Sequence, residues 1–233
     1  MKKRGVVAER LRRKILAGLG RTYAGFGVRP KRFLASLQRV HGVPIRSFDD
    51  MFRLRLDIVD GLADQTISAS KKLAVIEGAG IGLGGFVTLV PDMSFLAVIA
   101  MRMLQKLSLI YGFEYANEED MAELWLAAAS AAGLDLGRDF VQKELVERFV
   151  PRVMERIAAR MSVEVAEKWS ARAIPLVSGA LGGALNYYFI REWGRRAKRH
   201  FRERHLERRQ LRFNSLPNVL LFPGSTPSLP SPN

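Results

Sequence analysis

The stretch EGAGIGLGGFVTLVPD, residues 77–92, puts five glycines into eight positions of an otherwise apolar run. It is either a phosphate-binding loop or a helix built to pack closely. Gly80, Gly82 and Gly85 spell G-x-G-x-x-G, and LAVIE before them has the composition of a strand. A dinucleotide site also needs a helix after the third glycine and an acid roughly 20 residues on for the ribose. Here Pro91 interrupts the following segment, Ala100 and Met101 stand near the place of the acid, and no acid follows Asp92 before Glu114. Neither G-x-x-x-x-G-K-[ST] nor G-x-S-x-G occurs anywhere in the chain. The glycines are therefore read as helix-packing positions.

Length supports that reading. Residues 73–90 carry Glu77 as their only charge, and residues 173–190 carry none. At ~1.5 Å per residue each run makes a helix of about 27 Å, close to the thickness of a bilayer core. Gly78, Gly82 and Gly85 in the first, and Gly179, Gly182 and Gly183 in the second, recur at helical spacing. Small residues so spaced form a groove that lets another backbone come close. Without that compensation each glycine costs a helix ~1 kcal/mol relative to alanine.

The chain of 233 residues has a formal net charge of +14, unevenly placed. Residues 1–46 hold thirteen Lys/Arg against Glu9 alone, and residues 191–233 hold ten against three acids, whereas residues 47–190 are net acidic with fourteen bases and nineteen acids. Basic ends favour an anionic partner, either lipid headgroups or a phosphodiester backbone. Aromatic residues near these ends are few and no helix-turn-helix or strand platform is apparent, which disfavours nucleic acid. With no cysteine, and with His41, His200 and His205 scattered, no disulfide framework, metal site or cofactor is expected.

Periodicity predicts an all-α chain. Val7, Leu11, Ile15 and Leu19 form a stripe on a basic N-terminal helix. That stripe suits the protein's own core and a membrane surface equally. Ser47 and Asp50 form a capping box expected to open a helix through Met51, Phe52, Leu56, Val59, Leu62 and Ala63 to about Lys72. Residues 95–110 suggest an amphipathic helix returning from a Pro91-Asp92 turn, with Arg102, Gln105 and Lys106 on its polar side. Asn117 caps a helix that Gly133 stops, and its opening acids complement the helix dipole. A helix from Asp139 is expected to break at Pro151 before another runs to about Trp169. From residue 213 the chain is uncharged and rich in proline and serine, a composition of disorder. The expected divisions are a basic amphipathic region at 1–46, a helical domain at 47–212 with two glycine-rich hairpins, and a tail at 213–233.

The order of these motifs resembles the EcsC protein family of bacteria over residues 49–204. A Glu-Gly-Ala glycine run leads into Pro91-Asp92, then a helix with Arg102 ending in Tyr111-Gly112. Later Gly182, Gly183 and Asn186 lead into a basic helix. The resemblance implies a bacterial, membrane-leaning setting linked by the family's name to an ABC-transporter gene cluster, with no settled reaction. Glu77, Asp92, Arg102, Asn186 and Arg191 are the candidates for a buried polar network, and Arg12, Arg13, Lys14, Arg195, Arg196 and Arg199 for contact with anionic lipid. The function expected is a membrane-associated interaction or regulatory module at the inner face of the cytoplasmic membrane, with an unidentified protein partner. The alternatives are a peptidase-like hydrolase built on Glu77 and Asp92 and, third, a nucleic-acid binder.

Overall fold

A computed structural model of the chain describes residues 2–23, 27–81, 93–134, 146–170 and 178–214. Among them are helices and turns and no strand, as periodicity predicts. The helices are α1 (Lys2–Tyr23), α2 (Pro30–His41), a 3-10 helix (Phe48–Arg53), α3 (Leu56–Ile81), α4 (Met93–Ile110), α5 (Glu118–Ala131), α6 (Val146–Ser170) and α7 (Ser178–Asn214).

The sequence LAVIE lies inside α3, and α3 continues through Gly78 and Gly80. The strand that a dinucleotide fold requires is thus a helix. The capping box at Ser47 and Asp50 forms, but it opens the 3-10 helix instead of a long α-helix. Phe48, Met51 and Phe52 turn inward there, and extended backbone at Leu54 separates them from α3. Asn117 accepts the Asp120 amide at 2.8 Å as foreseen. Gly133, at φ +76°, ends α5 with Leu134 N–H donating to the Ala129 carbonyl. Pro151 does not break its helix. It lies in the second turn of α6, where its missing N–H removes one backbone hydrogen bond without ending the run.

The return helix α4 departs most from expectation. It packs against α1, α3, α5 and α7, and nearly all its side chains are buried. Arg102 is exposed, but Gln105 is buried and Lys106 lies half-buried with its ammonium 5.9 Å from the Phe33 ring centroid. Burial, and then repulsion from Arg102, lowers the Lys106 pKa. Although α4 is long and apolar enough to span a bilayer, 78% of it is buried inside the protein, so it is a core helix.

The N-terminal region does not stand apart. Leu11, Ile15 and Leu19 are buried, and α1 packs on α4 and α6. At the crossing with α4 a Cβ on Gly18 would sit 2.2 Å from the Ser94 carbonyl oxygen. Only a bare α-carbon permits that approach. Helix α1 thus packs directly against the helical body that follows it.

These contacts separate two glycines of similar sequence setting. Gly18→Ala should cost ~1–3 kcal/mol because backbone must move. Gly61→Ala, in α3 with no atom within 4 Å of the new methyl, should gain up to ~1 kcal/mol. Denaturant melts of the two variants check the sign of each effect.

Candidate docking surface

Among the described elements the most extensive contact runs between α3 and α7, which lie antiparallel. A Cβ on Gly183 would meet the Val75 carbonyl oxygen at 3.3 Å. Asn186 donates its side-chain amide to the Ala74 carbonyl at 3.2 Å, and Lys71 lies over the Tyr187 ring. Further along, Gly194 faces Ile67, Lys198 pairs with Asp64 and Arg202 with Asp60. Each step up α7 is matched by a step down α3. At the far end Arg209 donates to the Leu54 carbonyl and Arg212 pairs with Asp49 before α3 begins.

This ladder accounts for much of the C-terminal positive charge. Of the ten Lys/Arg in α7, five meet acids on other elements among the described residues: Lys198, Arg202, Arg204, Arg208 and Arg212. Their partners come from the net-acidic middle of the chain. Arg208 bridges Glu119 and Asp120, while Arg204 and His200 share Glu123. The more exposed pairs contribute ~0–1 kcal/mol each. Glu123 differs because it is buried. Burial alone would raise its pKa, yet His200 and Arg204 outweigh that and hold the carboxyl below its ordinary range. Removing a partner from such a charge typically costs ~3–5 kcal/mol.

A second polar cluster closes the end of α4. The Tyr111 hydroxyl donates to Asp60 at 2.7 Å, and Arg202 donates to the other oxygen of Asp60 at 3.0 Å. His205 is buried, stacked on Phe52 at 4.7 Å, with Nδ1 3.0 Å from the Tyr111 carbonyl. That contact requires Nδ1 to carry the proton, leaving Nε2 as a bare lone pair, buried and without a hydrogen-bond partner. Gly112 follows at φ +88°, and a Cβ there would lie 2.4 Å from the Phe52 ring. No sequence pattern marks the long-range union of Asp60, Tyr111, Arg202 and His205; only the Tyr-Gly ending of α4 hints at it.

At the other end of the α3–α7 pair four large apolar side chains are exposed among the described residues. Leu73 is 49% exposed and Ile76 69%, and across the helix boundary Tyr187 is 38% and Tyr188 48% exposed. Lys71, Lys72 and Arg191 belong to the same stretches, with Lys72 and Arg191 exposed. The two glycine-rich runs meet at this end, through Gly183 and Asn186 on Val75 and Ala74.

The sequence-predicted residues divide as follows. Asn186 is buried and satisfies a backbone carbonyl. Arg102 and Arg191 are exposed, so neither belongs to a buried polar network; each projects from an outer face of its helix. The side chains of Glu77, Gly78, Gly179 and Gly182 lie outside the described residues, as do Gly82, Gly85 and Asp92 altogether. Among the lipid-contact candidates Arg12 binds Glu155 and Glu9, Arg195 binds Glu192, and Arg196 donates to the Ala131 carbonyl. Arg13, Lys14 and Arg199 make no ion pair among the described residues.

A helical body with a buried apolar α4, a paired basic α7 and a Tyr-Gly helix end defines the class. Residues 26–206 match the EcsC protein family, and the chain belongs to that family. It is similar to Protein EcsC of Bacillus subtilis (strain 168), 29% identical over 163 residues that make up 68% of each chain. No solved structure matches.

The His205 cluster gives a pH signature. Burial pushes its pKa below the ordinary imidazole range despite the pull of the Tyr111 carbonyl, with Arg209 and Arg202 opposing a charge and Asp60 favouring one. The unfolded chain takes up a proton near pH ~6.5 that the folded chain refuses, so stability falls as pH drops below that value. Melting temperature should decline between about pH 7 and pH 5, and His205→Gln should flatten the decline. An equal slope in the variant would assign the loss to another group.

Proposed function

We propose that the chain is a membrane-surface module that docks on anionic lipid through the exposed apolar end of the α3–α7 pair and presents the rest of its helical body to a membrane-bound partner. One observation carries this reading. Leu73 and Ile76 on α3, and Tyr187 and Tyr188 on α7, are each exposed at the same end of two helices that pack against each other, and Lys72 and Arg191 are exposed in the same stretches. Aromatic and aliphatic side chains flanked by cations suit the headgroup boundary, where apolar area enters the acyl region and the cations meet phosphate. Each cation near an anionic surface contributes ~1 kcal/mol. Arg13, Lys14 and Arg199, which make no ion pair among the described residues, add to the long-range attraction from other surfaces, whereas the paired cations of α7 are engaged in the fold. The inner face of the cytoplasmic membrane, and a transporter as the partner, are part of this proposal.

Cosedimentation with phosphatidylglycerol vesicles tests it. The double variant Ile76→Asp/Tyr188→Asp should weaken binding by about tenfold or more at every salt concentration, since it puts two acids at the boundary. Lys72→Gln/Arg191→Gln should weaken binding mainly at low salt. Native-like binding by both folded variants would remove this surface as the docking site.

A further inference from the structure

A cavity of about 630 Å³ opens between the end of α1, the strap before α2, α4 and α5. Its inner wall is apolar, formed by Met101, Leu124 and Trp125, which are buried, with Met121 and Val28 nearer the surface. The volume is in the range of small-ligand sites. The strap is pinned at one residue: Val28 N–H donates to Gln105 Oε1 at 2.9 Å, and the Tyr115 hydroxyl donates to the Val28 carbonyl at 2.8 Å. A Cβ on Gly27 would sit 2.7 Å from Gln105 Nε2, so only glycine leaves the carboxamide in place.

The cavity mouth has the opposite character. Arg29, Lys31 and Arg32 line it, all exposed, and none makes an ion pair among the described residues. Glu114 is the one acid among the described lining residues, so their charge balance at the mouth is positive. Helix α2 begins here with Arg29 at its N-cap making no side-chain cap bond, and Pro30 follows. The positive end of the helix dipole therefore adds to the three side chains. An independent feature points to a ligand. Gln105 lines the cavity with 7% exposure, its oxygen is engaged by Val28, and its NH2 group has no partner among the described residues. The NH2 group is not sealed from solvent, so it is available to donate to a ligand in the cavity.

We propose that the cavity binds a single-chain anionic amphiphile, with the acyl chain along Met101, Leu124 and Trp125 and the carboxylate or phosphate head between Arg29, Lys31 and Arg32. A neutral apolar ligand would leave the cationic mouth unused, and a small inorganic anion would leave the apolar wall in water. The proposal does not rest on the docking surface, which lies on other elements.

Titration of the full chain with dibromostearate below its micellar range, read by quenching of tryptophan fluorescence, tests it. Saturable quenching is expected, most of it lost in Trp125→Phe. Arg29→Gln/Lys31→Gln/Arg32→Gln, confined to exposed side chains, should weaken binding about tenfold or more with an unchanged melting curve. Dibromostearyl alcohol should bind weaker by a similar factor. A brominated lysophosphatidylglycerol run alongside distinguishes a phospholipid source from a free fatty acid, tighter binding naming the source. Quenching that does not saturate, persists in Trp125→Phe, or is equal for acid and alcohol would overturn the proposal. Full competition by inorganic phosphate would overturn it too, by reducing the site to an anion-binding helix end.

Discussion

The antiparallel contact of α3 with α7 fixes the position of everything else. It uses two kinds of chemistry along one line. Toward the glycine-rich end the helices approach through Gly183, Ala74 and Gly194, where packing is close but carries little directional information. Toward the other end Lys198, Arg202 and Arg212 meet Asp64, Asp60 and Asp49, contacts that are individually modest but specific in register. Close packing supplies area, and charge prevents slippage. The trough beside this pair is filled by α4, whose Tyr111 ties into it through Asp60 and His205.

That arrangement changes what a net charge of +14 means. Counted along the chain it suggests a polyanion-binding protein, but in space much of the C-terminal charge faces the acids of α3 and α5. A paired charge adds little to the potential a Debye length away. The far field comes instead from cations that make no ion pair among the described residues, on α1, at the start of α2 and at Arg191 and Arg199. These cations are spread over three helices.

Helix content, the cap at Asn117, the stop at Gly133 and the family were legible in the sequence because each depends on neighbours within a few positions. The environment of α4 was not. Arg102, Gln105 and Lys106 mark a polar side, but periodicity cannot tell a solvated Gln from one that holds the Val28 amide. Gly18 and Gly194 were missed for a related reason. A dense glycine run draws attention by composition, whereas an isolated glycine matters only through what a distant segment places against it. The capping box misled in the other direction: it formed as expected, yet Phe48, Met51 and Phe52 were better buried from a short 3-10 turn than from a continuous helix. His205 itself had no signal, since its partner Tyr111 lies in the turn after a helix distant in sequence.

The ladder also constrains how such a chain can change in length. One residue added to or removed from the middle of α7 rotates everything beyond it by ~100° about the helix axis. Asn186 and Gly183 would keep their places while Arg202, Arg204 and Arg208 turned away from Asp60, Glu123 and Asp120, or the reverse. Substitutions can be absorbed pair by pair, but an insertion breaks many contacts at once. Relatives should therefore diverge freely in residue identity along α3 and α7 while conserving the count of residues between Asn186 and Arg212, and indels should gather outside these two helices.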